Sequence, residues 1–120
     1  MRIGLSAFAL AAMLCYGGFA RAQQVEIFDV VGSNPGSDNV DYRGQVGVMK
    51  SGATWQIEWR VSGSVVRGTG LVMDGNYLAA AGLLEGLPFV FIMRKDGNKF
   101  VGEWTVQGQT RIGKEVWTAR

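Results

Sequence analysis

The chain is 120 residues long, 48% hydrophobic and 11% aromatic, with 12 basic residues, 10 acidic residues and no histidine. Without histidine, the Ser-His-Asp and Cys-His nucleophile systems are excluded and the commonest transition-metal ligand is missing. The formal net charge is only +2 and falls to zero once Arg2 and Arg21 are set aside with a leader-like segment, so no basic field argues for nucleic acid or an anionic membrane.

Residues 1–22 read as a secretory signal peptide. Arg2 supplies the positive start, Ile3 to Cys15 the apolar run, and Ala20-Arg21-Ala22 a small-x-small cleavage site. The apolar run is shorter than the roughly 20 residues a spanning helix needs, and Gly17-Gly18 interrupts it. The expectation is export to the periplasm or the medium, with no membrane span once the leader is removed. A single domain would then occupy residues 23–120. The only cysteine, Cys15, leaves with the leader, and Leu14 before it argues against lipidation. The domain is expected to fold without a disulfide, a metal or a cofactor, on an aromatic core.

Glycine divides the rest into short runs that read as strands. Val25–Val31 is the first, followed by the polar loop Gly32–Asn39. Val40–Lys50 is the second, with Tyr42, Gly44, Val46 and Val48 on one face. Gly52–Gly63 (GATWQIEWRVSG) alternates almost without error, placing Trp55, Ile57, Trp59 and Val61 on one side and Gln56, Glu58 and Arg60 on the other. Ser64–Met73 is the fourth strand. Asp74-Gly75 is a hairpin signal, because that pair accepts positive φ at low cost. Asn76–Ala81 is the fifth strand and Gly82–Leu87 a loop. Pro88–Arg94, Asn98–Val106 and Arg111–Ala119 complete the set, with a second tight turn at Asp96-Gly97.

Eight short strands joined by tight turns predict an all-β antiparallel meander. An open meander leaves two unpaired edges, and closure removes them. A small up-and-down barrel is therefore expected, with a β-sandwich as the alternative. An apolar or aromatic residue followed two positions later by glycine occurs at Tyr42-Arg43-Gly44, Val66-Arg67-Gly68 and Phe100-Val101-Gly102. Repeated strand glycines mark bends or close backbone approach.

The motifs Val31-Gly-Ser-Asn-Pro-Gly36, Tyr42-x-Gly44-x-Val46, Gly52-x-x-Trp55-x-Ile57-x-Trp59, Gly68-x-Gly70, Gly102-x-Trp104-Thr105 and Gly113-x-Glu115-x-Trp117 together resemble a family of small exported bacterial proteins. That family is frequent in alphaproteobacteria and commonly labelled fibronectin-binding protein. The resemblance implies an exported module and brings no active-site residues with it. Leu78–Gly82 departs from the pattern, where the family places an aromatic residue. In architecture the chain is similar to lipocalin-like and avidin-like barrels.

A carboxylate-pair hydrolase would need Glu58, Glu103 or Glu115 to converge. Alternation sets Glu58 and Glu103 opposite Trp59 and Trp104, as solvated surface charges. Glu115 shares a face with Trp117. Either both point inward, making Glu115 the polar anchor of a pocket, or both lie outside; Ile112 and Val116 compete for the interior and favour the outward reading. The tryptophans are core residues first. Any pocket would draw on Tyr42, Trp55, Trp59, Phe100, Trp104 and Glu115. Leu83, Leu84 and Leu87 would form a lid or an apolar plug. The function expected is a non-enzymatic binding or structural module of the envelope or secretome, engaging a protein or matrix partner. The alternative is a lipocalin-like carrier of a small apolar ligand.

Overall fold

The computed structural model describes residues 24–120; the leader assigned to residues 1–22, with Cys15, lies outside them. Eight strands follow one another: β1 (Gln24–Ser33), β2 (Tyr42–Ser51), β3 (Thr54–Val61), β4 (Ser64–Met73), β5 (Tyr77–Leu84), β6 (Leu87–Asp96), β7 (Lys99–Val106) and β8 (Gly113–Ala119). Each pairs antiparallel with the next, and β1 pairs with β8 from Phe28↔Ala119 to Ser33↔Lys114. The sheet is thus a closed barrel in plain sequence order, as expected, and the sandwich is set aside.

One end of the barrel carries the turns β2–β3, β4–β5 and β6–β7. At Asp74-Gly75 both residues have positive φ, 55° and 71°, the geometry that matches strand twist. The other end carries the longer β1–β2 and β7–β8 connections and two tight turns. One of these is Glu85-Gly86, with φ of 51° and 84°. That turn corrects the expected loop: β5 and β6 continue to Leu84 and Leu87, which pair directly. Leu83, Leu84 and Leu87 are strand residues, and no lid exists there. Glycine at Gly86 lets two residues do what the sequence pattern assigned to six.

Alternation sends Phe28, Val30, Val46, Val48, Ile57, Trp59, Leu78, Phe89, Phe91, Met93, Phe100, Trp104 and Trp117 to the interior. The glycine motif has the expected cause. A Cβ at Gly68 would lie 2.7 Å from the Ala81 carbonyl oxygen, and Cβ atoms at Gly44 and Gly102 would collide with the Arg60 and Ile92 carbonyls. Gly102→Ala is therefore expected to cost about 1–3 kcal/mol, seen as a lower urea midpoint with an unchanged slope.

Glu103 is exposed, as expected, but Glu58 is only 3% exposed although it faces outward. Its cross-strand neighbours are Gly47 and Arg67. Gly47 offers no side chain to hold it away from the sheet. Arg60 Nη2 at 3.3 Å and Arg67 Nε at 3.7 Å supply opposite charge.

Candidate functional site

The barrel interior is neither hollow throughout nor uniformly filled. Trp117, Leu78, Met93, Val30, Val46 and Val48 are fully buried. Among the described residues, two cavities that share no lining residue open at opposite ends.

The cavity at the loop-bearing end has a volume of about 280 Å³. Tyr42, Trp59, Phe89, Phe91 and Trp104 line it, with Val61, Val66 and Leu84 among the aliphatic contacts and Asn34 and Asp41 among the polar ones. The Phe91 and Trp104 rings stack at 5.5 Å with an interplanar angle of 6°. Trp59 lies tilted over Phe91 at 5.1 Å and meets Phe89 edge-on at 5.5 Å.

Glu115 belongs to the same lining and is 2% exposed. The outward reading of β8 is corrected: Gly113, Glu115 and Trp117 are buried, whereas Ile112 is 46% exposed. The reason is a row across the strands. Tyr42 pairs with Gly32, Gly32 with Glu115, and Glu115 with Gly102. Glu115 therefore has a glycine on each side and room to turn in. A Cβ at Gly32 would collide with the Tyr42 ring, so that ring lies across the glycine and reaches the carboxylate.

Three donors converge on this carboxylate. The Tyr42 hydroxyl donates to Oε1 at 2.5 Å. The indole N–H groups of Trp59 and Trp117 donate to Oε2 at 2.7 and 2.6 Å. Indole nitrogen only donates, so both acceptor positions of Oε2 are taken and Oε1 retains one. Burial pushes the Glu115 pKa up, against the three hydrogen bonds that favour its charged form. Burial and the neighbouring Glu115 charge push the Tyr42 phenol up as well, so Tyr42 stays protonated. At the rim, the Asn34 backbone N–H (2.8 Å) and the Ser37 side chain hold Asp41 below the usual carboxylate range.

These shifts set a pH dependence. A carboxyl whose folded pKa is raised binds its proton more tightly in the native state, so stability falls as pH rises from the ordinary value of 4.5 toward the raised one. Asp41 works in the opposite sense, and only below its ordinary 3.8. Urea titrations above pH 4.5 are expected to show the decline in the native protein and to lose it in Glu115→Gln.

The second cavity, about 390 Å³, lies at the hairpin end and is lined by Phe28, Trp55 and Phe100 with Glu26, Lys50, Lys95 and Lys99. Lys50 pairs with Glu26 at 2.8 Å and sits 4.9 Å above the Trp55 ring. The six expected pocket residues are thus divided. Tyr42, Trp59, Trp104 and Glu115 come together at one end; Trp55 and Phe100 stand at the other. Of the three leucines, Leu84 lines the first cavity, while Leu83 and Leu87 are 54% and 46% exposed. Phe89 and Phe91 were missed as site residues, although their place on the inward face of β6 was legible from alternation. Asn34 and Asp41 carried no sequence signal, because an irregular connection brings them to the rim. The glutamates weighed as a hydrolytic pair do not converge, since Glu58 and Glu103 lie outside the barrel. Among the described residues, no group of three or more His, Cys, Asp or Glu side chains could hold a metal ion.

No protein-family model matches the chain, and no curated protein matches it. Among solved structures it is similar to apo lipid binding protein 8 of Caenorhabditis elegans, with a TM-score of 0.52 and 9% identity over 79% of this chain and 94% of that one. At that identity the likeness carries the fold: a barrel, in line with the architectural resemblance read from the sequence.

Proposed function

We propose that the protein is a non-enzymatic, exported binding protein that carries a small ligand with an apolar body in the cavity at its loop-bearing end. The observation that carries this reading is the Glu115 carboxylate, buried and held by Tyr42, Trp59 and Trp117 at an aromatic-lined cavity. A barrel serving only as a scaffold can fill its core with apolar residues, at lower cost than with a buried carboxylate. An apolar pocket with a few convergent polar groups is the ordinary form of a small-molecule site. At about 30 Å³ per water, the cavity equals some nine waters, room for a ligand of roughly ten non-hydrogen atoms. The similar barrel described above, named a lipid binding protein, lends support of the same kind.

The test is a native mass spectrum of the protein purified gently from an exporting host. The expected mass begins at Gln23 and carries a small bound species that is lost on denaturation and missing from Leu84→Trp, which fills the cavity. A mass beginning at Met1 would sink export. A bare mass in both proteins, with no binding from a small-molecule extract, would sink the carrier.

A second reading, a protein-contacting module, rests on the outer face of β4–β6. Leu71, Met73, Leu83, Val90 and Ile92 are all more than half exposed there, and Tyr77 nearly so. The rungs Leu71↔Ala79↔Ile92 and Thr69↔Ala81↔Val90 place a trough of alanines between larger side chains. These apolar side chains lie side by side across three strands, and a contiguous exposed apolar patch of that kind marks a protein-contact site. Ridge-and-trough relief suits a second copy turned by a two-fold axis. Light scattering is expected to give a dimer for the native protein and a monomer for Ile92→Lys; a native monomer at high micromolar concentration would dismiss this reading.

A further inference from the structure

We infer that the ligand of the loop-end cavity is a small organic cation, an amine or ammonium group on an apolar body, whose charged end meets the free side of Glu115 Oε1 and the faces of the surrounding rings. This rests on the carrier reading and adds the chemical class of the ligand.

Four observations carry it. First, the three partners of Glu115 are neutral donors, and its carboxylate makes no salt bridge among the described residues. The acceptor inventory leaves one position on Oε1 open. Second, the cavity lining contains no lysine or arginine; its two ionisable acids are Glu115 at depth and Asp41 at the rim. An anionic ligand would meet two carboxylates and no counter-charge. Third, the walls are aromatic: Trp59, Phe91 and Trp104 line the cavity, with the Phe91 ring 5.1 Å from Trp59 and 5.5 Å from Trp104. Ring faces are the negative side of the aromatic quadrupole and attract cations, most strongly when both are shielded from water. Fourth, the opposite end of the barrel gathers the lysines. Lys50, Lys95 and Lys99, three of the four lysines of the chain, line the other cavity, whereas none lines this one.

A neutral, purely apolar ligand would leave the open Oε1 position unpaired and gain nothing from Asp41. A cation satisfies the one and is steered by the other. It also removes the penalty of a buried carboxylate that has donors around it but no opposite charge. Asp41 and Tyr42 are the other titratable groups of the lining. Tyr42 is held protonated, and Asp41, held ionised, adds to the same sign of potential.

The test uses three probes of one shape and differing charge, each within the volume available: benzylammonium, benzyl alcohol and benzoate. Each is titrated into the native protein at pH 7, with tryptophan fluorescence and calorimetry as readouts. Benzylammonium is expected to bind at least tenfold more tightly than benzyl alcohol, with benzoate weakest. Glu115→Gln is expected to level the first two while still binding benzyl alcohol; Asp41→Asn is expected to slow association and to leave most of the preference. The comparison is made on the native protein, so its outcome does not depend on a variant folding. Benzyl alcohol or benzoate binding as tightly as benzylammonium would overturn the cation assignment and leave the carrier standing. Binding of none of the three, at millimolar concentration, would overturn both. A preference that survives in folded Glu115→Gln would remove Glu115 from the recognition of charge.

Discussion

Trp117→Ala is expected to lower the unfolding free energy by about 3–5 kcal/mol, the usual cost of emptying a buried tryptophan site. Trp117 is fully buried. Its ring meets Phe28 at 5.6 Å, Trp59 at 5.8 Å and Phe100 at 6.0 Å, so it joins the aromatic groups of the two ends. Closed on itself, the barrel cannot collapse around the space that alanine would leave. A domain of this size has about 5–15 kcal/mol in total, so the variant is expected to be marginal or unfolded at 37 °C. Trp117→Phe separates packing from polarity. It keeps most of the buried ring and withdraws one donor from Glu115, for an expected cost of about 1–3 kcal/mol. Trp55→Ala, half-buried at the opposite end, is expected to cost distinctly less than Trp117→Ala. Urea midpoints at constant slope measure all three; equal losses for Trp55→Ala and Trp117→Ala would mean that the centre of the barrel is not where stability resides.

The second large effect is expected at Glu115. Glu115→Ala strands two indole N–H groups and a phenol in the interior. A stranded buried donor costs about 1–3 kcal/mol, and such costs do not add fully among neighbours, so a loss of about 3 kcal/mol is expected. Water entering the cavity can reach Tyr42 more readily than Trp117, which is fully buried. Glu115→Gln keeps one good acceptor and turns an amide toward the Tyr42 oxygen, for about 1–2 kcal/mol. The pH trend distinguishes this account from a simple loss of bulk. Native stability falls as Glu115 ionises, while the alanine variant has no such group, so the gap between them should narrow as pH rises above 4.5. A gap that stays constant would mean that Glu115 does not titrate in this window.

The two effects share a cause. Trp117 is at once core residue and ligand of a carboxylate, and Trp59 is core residue, carboxylate ligand and cavity wall. Packing and site cannot be mutated independently here. The probe series on the native protein is for that reason the cleaner test of recognition, and cavity filling at Leu84 the cleaner test of occupancy.

Strand number, order and pairing were legible in the chain, because side-chain alternation is a local property with a period of two residues. The stretch Thr54–Val61 shows it most clearly, with Trp55, Ile57, Trp59 and Val61 inward. Closure was legible too, from eight strands, tight turns and glycines where backbones approach. Local pattern failed where two faces were nearly equal in polarity. On β8, Ile112 and Val116 against Glu115 and Trp117 is an even contest by hydrophobicity. It is decided by Gly32 and Gly102, which flank Glu115 from other strands. Leu83, Leu84 and Leu87 were misplaced because a two-residue turn with glycine at positive φ was hidden in a run with two glycines. Sequence by itself determined the number and order of the strands and, outside β8, which face of them is apolar. Tertiary structure alone decided that Tyr42, Trp59 and Glu115 share one cavity while Trp55 and Phe100 line the other. Distance along the barrel axis depends on the register of strands far apart in the chain, and no local periodicity records it.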